Sequence, residues 1–342
     1  MPNETAGTLQ GLPRSAARFC LEMECICRDT FEVDLAGSSL VVAYSGGADS
    51  KAMLLALHFL SKRLDITLHA AILNHMLRDE AALEVRDARS LCERIGVSFH
   101  TARRDVVALA REKGVGLEEA GRFARREFLE DVRERTRCEW IAMGHQLNDL
   151  AEDALMRMIR GAGWPALGGM KAVLPDRNII RPLLLVSRSA IETFLSDIGE
   201  SWVHDAMNED EAYFRNRVRK ELLPALIREN PSYLDSVAER WLMAREDDSF
   251  IHSVLSSALY EEREDGLFFT RAVLENLPVS LRLRKYMLVL ASMGEGQAST
   301  ALLRNLDAVW LRNEGGKTIQ FPGDKRAKIT GGGILFFKSS PH

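Results

Sequence analysis

The chain has 342 residues, 46% hydrophobic and 27% charged, with a formal net charge of −4. That is enough apolar content for two or three compact units; no stretch approaches the roughly 20 apolar residues of a membrane span, and the N-terminal MPNETAGTLQGLPRSAARF lacks an export-type apolar run, so a cytoplasmic protein without membrane contact is expected. Cys20, Cys25, Cys27, Cys92 and Cys138 are odd in number and form no C-x-x-C pair, which predicts reduced, mostly buried thiols rather than zinc or dithiol chemistry.

Residues 14–32 predict a short amphipathic helix. The apolar run Leu40 to Tyr44 predicts a strand, and Ala52 to Leu60 continues a helical pattern; between them lie Ser45, Gly46, Gly47, Ala48, Asp49 and Ser50. A strand, two glycines flanked by hydroxyls and a helix start present backbone N–H groups to an anion. The competing interpretation, a glycine-rich turn without ligand, leaves the hydroxyls unexplained. The spacing fits neither a Walker A loop nor the dinucleotide G-x-G-x-x-G pattern; it resembles the PP-loop, S-G-G-x-D-S, of enzymes that cut ATP between its α and β phosphates. The glycines would let the backbone close around pyrophosphate, and Asp49 would hold the bridging Mg2+.

Ile66 to Leu73 predicts a second strand ending at Asn74 and His75. Ala81 to Ile95 reads as a helix, Val97 to Thr101 as a strand, Leu117 to Arg135 as a charged amphipathic helix, and Trp140 to Met143 as a fourth strand ending at Gly144 and His145. Strands alternating with helices, with polar residues just past each strand end, predict a doubly wound parallel α/β sheet whose ligand sits at the strand carboxyl edge. Beyond Arg181-Pro182 the rhythm changes. Arg188 to about Arg263 is helical and charged, and Pro278 to Asn313 adds two helices. Thr318 to Phe321, the turn Pro322-Gly323-Asp324, Ala327 to Thr330 and Ile334 to Phe337 then predict a small α+β module. Residues 301–342 hold seven Lys or Arg against three acids, so the first 300 residues carry −8. A polyanion contact at one end and a solvated face explain that asymmetry equally well.

Further polar segments can converge at one sheet edge: Asn74 to Arg78, Glu118 to Arg125, His145 to Asp153 and Arg160 to Trp164. Together with Arg181-Pro182-Leu183-Leu184 and Arg215-Asn216-Arg217-Val218-Arg219-Lys220-Glu221-Leu222-Leu223-Pro224, they resemble tRNA(Ile)-lysidine synthetases, in order from about residue 40 to 226. The R-N-R-x-R-x-E-L-L-P segment is the discriminating motif, because PP-loops serve many substrates. Of the family's His-His-x-Asp-Asp-x-x-Glu-Thr, His145, Asp149 and Glu152 match, while Gln146, Asn148 and Asp153 depart from it. Arg122 and Arg125 match the family's helix motif, with Gly121 for Ala and Arg126 for Tyr; Met76 stands where the family has Gly.

The resemblance implies ATP and Mg2+ as cofactors, L-lysine and a tRNA(Ile) with CAU anticodon as partners, and a homodimer. Its reaction has two steps. The cytidine carbonyl oxygen attacks the ATP α-phosphate; the lysine ε-amine then displaces AMP from the ring carbon. The first step needs the pyrophosphate clamped by Ser45 to Ser50 and its charge met by Arg122 or Arg125. The second needs a neutral amine, and deprotonating lysine at pH 7 costs roughly 4.6 kcal/mol. Asp149 and Glu152, three apart at a helix start, are expected to bind lysine, with His145 accepting or shuttling a proton; without the resemblance an acidic helix N-terminus with a capping histidine would serve as well. Arg215, Arg217, Arg219 and Lys220 are expected to touch tRNA phosphates and to form internal ion pairs with Glu211 or Glu221. Trp164 suits either an anticodon base or packing under its loop. The expected organisation is an N-terminal extension 1–37, a catalytic domain 38–205, a helical tRNA-binding domain 206–270 and an α+β module 271–342.

Three alternatives compete for the same residues. A tRNA 2-thiocytidine-type sulfurtransferase would need a cysteine pair near the site. A catalytically silent tRNA-binding relative is suggested by Gln146 and Asn148 but opposed by the intact loop, Asp149 and Glu152. A small-molecule amide-forming enzyme gives no reason for the Arg215 segment.

Overall fold

A computed structural model describes residues 8–77, 81–202, 214–257 and 260–338. The chain forms two compact units, Met1–Ala244 and Arg245–His342. Among the described residues no helix is long and apolar enough to cross a membrane.

In the first unit α1 (Arg14–Cys25) precedes β1 (Ser39–Ala43), α2 (Ala48–Leu64), β2 (Thr67–Asn74), α3 (Ala81–Ile95), β3 (Ser98–Arg103), α4 (Val106–Lys113), α5 (Leu117–Thr136), β4 (Trp140–Ala142) and α6 (Leu147–Ile159). The short strands β5 (Val173–Leu174) and β6 (Ile179–Ile180) and the helix α7 (Arg188–Asp197) follow. The sheet order is β3-β2-β1-β4-β6-β5, parallel except for β5 on β6. The chain runs outward from β1 to β3 and returns to β4 on the other side of β1. That reversal makes the carboxyl edge of β1 and β4 the topological switch point, where open α/β sheets take their ligands.

Alternation along the strands explains the two layers. Leu40 and Val42 join one core with Phe19 and Met23 of α1 and the apolar α2, whereas Val41 joins a second core with Val106 of α4 and Phe128 and Leu129 of α5. Phe19 stacks on Phe194 of α7 at 4.4 Å between ring centroids, so the N-terminal helix packs into the sheet-bearing core. The predicted strands and helices are present with shifted ends. The sequence did not single out α4, β5 or β6, all of them short.

After α7, the helices α8 (Phe214–Arg217) and α9 (Leu223–Glu229) flank a π-helical turn, Val218–Leu222, and α10 (Tyr233–Ser257) contains the boundary between the units. In the second unit β7 (Glu261–Arg263), β8 (Gly266–Thr270), α11 (Arg271–Glu275), α12 (Val279–Ser292), α13 (Thr300–Leu311), β9 (Thr318–Phe321), β10 (Lys325–Thr330) and β11 (Gly333–Lys338) build an antiparallel sheet ordered β7-β8-β11-β10-β9 against helices. The first of these strands, β7, falls in the stretch read as helical to about Arg263. One of the seven basic residues of 301–342 is spent internally. Lys325 is fully buried, and its Nζ donates to the carbonyls of Leu290, Gly294 and Gly296 at 2.7, 2.7 and 2.8 Å, satisfying acceptors in the last turn of α12 and just past it.

Candidate active site

The loop Ser45 to Ser50 leaves the central strand β1 and opens α2, whose N-cap is Gly47. Gly46 has φ +83°, a left-handed backbone that side chains with a Cβ rarely adopt. The Ser50 hydroxyl closes the loop on itself: it donates to Gly47 O at 3.1 Å and accepts the Ser45 N–H at 3.1 Å. The neighbouring strand end presses close. A Cβ on Gly144 would lie 3.2 Å from Ser50 N and 3.3 Å from Ser50 Cα, both backbone atoms. Gly144→Ala therefore shifts the loop by a few tenths of an ångström, and we expect the KM for ATP to rise about tenfold while thermal stability changes little; steady-state kinetics and a melting curve check both.

The loop faces a cleft of about 350 Å³ lined also by His75, Arg125, Gly144 and His145. Asp49 lines it too. Its Oδ1 is buried with no hydrogen-bond partner among the described residues, and burial, then the charge of Asp149, raises its carboxyl to about 6. A hard oxygen ligand, desolvated and unpartnered at the mouth of an anion-binding loop, fits a divalent magnesium ion.

His145 follows β4 and accepts a hydrogen bond at Nδ1 from Arg181 Nε, 3.1 Å away. Burial and then Arg181 push its pKa down to about 4. His75 is lowered by burial and then by Arg125, and its Nδ1 is buried without a partner among the described residues. Arg125 is itself lowered by burial and by Arg122 and Arg215. The cleft is thus a crowded positive environment that a bound anion would relieve. Arg122, expected beside Arg125 in neutralising pyrophosphate, does not line the cleft; its Nη2 donates to Glu118 one turn back at 2.5 Å.

Asp149 and Glu152 do lie together, 8% and 0% exposed. They face the arginines of the later segment. Arg215 Nε donates to Glu152 Oε2 at 2.8 Å and Arg215 Nη2 to Asp149 Oδ1 at 2.8 Å, while Arg219 Nε donates to Glu152 Oε1 at 2.7 Å. Arg219 Nη2 also lies 3.5 Å from Asp149 Oδ1; Glu211, like Arg78, lies outside the described residues. Arg217 and Lys220 are exposed while Arg215 and Arg219 are half-buried, so the basic segment has one face turned to the acids and another turned outward. Carboxylates three apart and guanidiniums four apart each occupy one helical face, a matched spacing that could have paired them in the sequence.

The departures from the family's motif have structural places. Gln146 is the N-cap of α6, its side chain accepting from Asn148 N at 2.7 Å while Asp149 Oδ2 accepts from Gln146 N at 3.1 Å, a reciprocal capping box. Asn148 Oδ1 accepts the Arg188 N–H at 3.3 Å, tying α6 to the start of α7, and Asp153 pairs with Arg157 at 2.7 Å. Met76 has φ +56°, the left-handed conformation for which the family's glycine is suited, and its N–H donates to Asn74 Oδ1 at 2.8 Å. A Cβ at Gly121, as the family's Ala would carry, would meet Val106 and His75 at ordinary contact distances. Trp164 is 37% exposed. Cys20, Cys27, Cys92 and Cys138 are buried, Cys25 is exposed, all five are free, and none lines the cleft.

Comparison with known proteins follows the same outline. The PP-loop domain family matches residues 23–226. A tRNA(Ile)-lysidine synthase of Nitratidesulfovibrio vulgaris is 40% identical over 320 residues, 88% of this chain and 92% of that protein. One of Geobacter sulfurreducens is 34% identical over 80% of this chain and 59% of its own length, so the chain spans about three fifths of that relative. Among solved structures, a U34-tRNA thiolase of Methanococcus maripaludis superposes with a TM-score of 0.55 at 20% identity, covering 67% of this chain and 80% of that one, a likeness of fold.

Proposed function

The chain belongs to the tRNA(Ile)-lysidine synthase family and carries its PP-loop ATP-binding domain, and from that premise we propose that it is a ligase joining L-lysine to the wobble cytidine of a tRNA(Ile) with a CAU anticodon, so that the tRNA reads AUA instead of AUG. What supports this most is one cleft that holds the phosphate loop, the unpartnered Oδ1 of Asp49 and the histidine after β4, with the acid–arginine cluster near enough for Asp149 to act electrostatically on both side chains. The backbone N–H groups at the start of α2 and the Ser45 hydroxyl bind the ATP phosphates, while the Ser50 hydroxyl holds the loop closed. Magnesium, held by Asp49, supplies charge neutralisation on the phosphates. Arg125, with Arg122 behind it, meets the charge that develops on the departing pyrophosphate as the cytidine carbonyl oxygen attacks the α-phosphate.

For lysine we propose Asp149 and Glu152. Each carboxylate oxygen that takes an arginine N–H keeps a second lone pair, so an ammonium can be added to the cluster without expelling both guanidiniums. Arg217 and Lys220 reach outward to tRNA phosphates, and Arg215 and Arg219 orient the segment while sharing that role. A homodimer and a cytoplasmic location complete the proposal.

The experiment is incubation of the pure protein with ATP, magnesium, radiolabelled lysine and unmodified tRNA(Ile) carrying CAU, with label in the tRNA and AMP release both scored. Lysine-dependent incorporation with matching AMP is expected. AMP release without incorporation would transfer the ATP chemistry to another nucleophile, and neither signal would leave only an RNA-binding relative.

A further inference from the structure

Arg181 leaves β6 where His145 leaves β4, and the two strand ends are joined by the Met143 N–H donating to Ile180 O at 2.9 Å. The arginine is held before it reaches the histidine. Its backbone N–H donates to Ala172 O at 2.9 Å, its carbonyl accepts from Leu184 N at 3.1 Å, and its Nη1 donates to Lys171 O at 2.6 Å. Only then does Nε donate to His145 Nδ1 at 3.1 Å. A guanidinium has donors and no acceptor, so Nδ1 is the acceptor of that bond. A neutral imidazole carries a single proton, which is therefore on Nε2. An imidazolium would set its own Nδ1–H against the arginine N–H.

The charged groups around the ring favour the same state. Arg181, Arg125 and Arg215 are cationic and oppose a second positive charge; Asp149 is the anion that would favour it. Loss of either the arginine's charge or its fixed direction would free the ring to change both tautomer and charge.

We propose that Arg181 is a positioning residue that fixes His145 as the neutral Nε2–H tautomer, so that His145 offers the cleft a hydrogen-bond donor and takes no proton from the substrate. In the reaction proposed above, on which this role rests, the donor meets an acceptor oxygen of the reacting phosphate or of the cytosine carbonyl. The lysine proton then leaves to a different acceptor. This departs from the proton-accepting role that the residue type and its place in the motif suggest.

The tautomer belongs to the free protein and is measured without substrate. Protein labelled with 15N-histidine gives long-range proton–nitrogen correlations between about pH 5 and 8, and the His145 signals are assigned by their loss in His145→Gln. Expected in the wild type are a bare Nδ1, a protonated Nε2 and no titration across the range. Arg181→Met is expected to release the ring into both tautomers and to raise its midpoint, which burial, Arg125 and Arg215 still hold below the ordinary value of about 6.5. Modification activity should fall about tenfold to a hundredfold and acquire a new acid limb in its pH profile. A wild-type His145 protonated at Nδ1, or titrating near 6.5, overturns the proposal, as does an Arg181→Met protein with an unchanged tautomer. Should that variant not fold, the wild-type spectrum decides alone. A protein with the expected tautomer and no lysine incorporation would sink the reaction and leave the tautomer standing.

Discussion

Asp49→Asn is expected to cut ATP-dependent turnover about a thousandfold while making the free protein more stable at neutral pH. The two effects share one cause. Asp49 Oδ1 is buried without a partner among the described residues, and its carboxyl is raised from the model-peptide value of 3.8 to about 6. The folded chain therefore holds a proton between about pH 4 and 6 that the unfolded chain has released. Stability falls as pH rises through that window and stays at the lower level above it, a difference of up to about 3 kcal/mol. The amide keeps the shape, removes the charge and with it the pH dependence. Melting curves should therefore place Asp49→Asn above the wild type at pH 7.5 and level with it near pH 4. Magnesium and ATP should raise the melting temperature of the wild type and leave that of the variant unmoved. A variant that keeps its turnover, or whose stability falls at neutral pH, would remove Asp49 from the metal and phosphate site.

The place of Asp49 was half visible in the sequence. The strand, the glycines and the helix start place Asp49 at the mouth of an anion-binding loop, because backbone geometry at a strand–loop–helix junction follows from local residues alone. Its lack of a partner is a tertiary fact, set by which side chains from β2, β4 and α5 enter the cleft. The same division runs through the site. Motif residues located the segment carrying Asp149 and Glu152 and the one carrying Arg215 and Arg219, but not that they are two halves of one ion-pair cluster 63 residues apart in the chain. Arg181 was visible only as part of a motif. The hydrogen bond that fixes His145 depends on β6, two residues long, which no periodicity argument could detect. Lys325 shows the converse error, since charge alone places it on the surface, whereas the alternation with Ala327 and Ile329 on β10 turns it inward.

Glu152→Ala should destabilise the first unit by about 3–5 kcal/mol, the cost of removing one partner from a buried charge cluster. Glu152 is fully buried and accepts from both Arg215 and Arg219; its loss leaves two half-buried guanidiniums with Asp149 as their shared partner at 2.8 and 3.5 Å. Arg215→Met costs less, because Glu152 keeps Arg219, and in the double variant the two effects should fall short of their sum. Urea titration of the four proteins measures this. Stability alone cannot separate a scaffold from a lysine site, so Asp149→Asn is the functional counterpart. Asp149 is less deeply tied, and its amide retains the cap of α6 through the remaining oxygen. If the carboxylates bind the lysine ammonium, the KM for lysine rises at least about tenfold, the worth of a charge-assisted hydrogen bond, while the KM for ATP holds. If they serve only to aim the arginines, the KM for tRNA moves and that for lysine does not. The second result would take lysine binding away from the acid pair on α6 and make that pair a support for RNA binding.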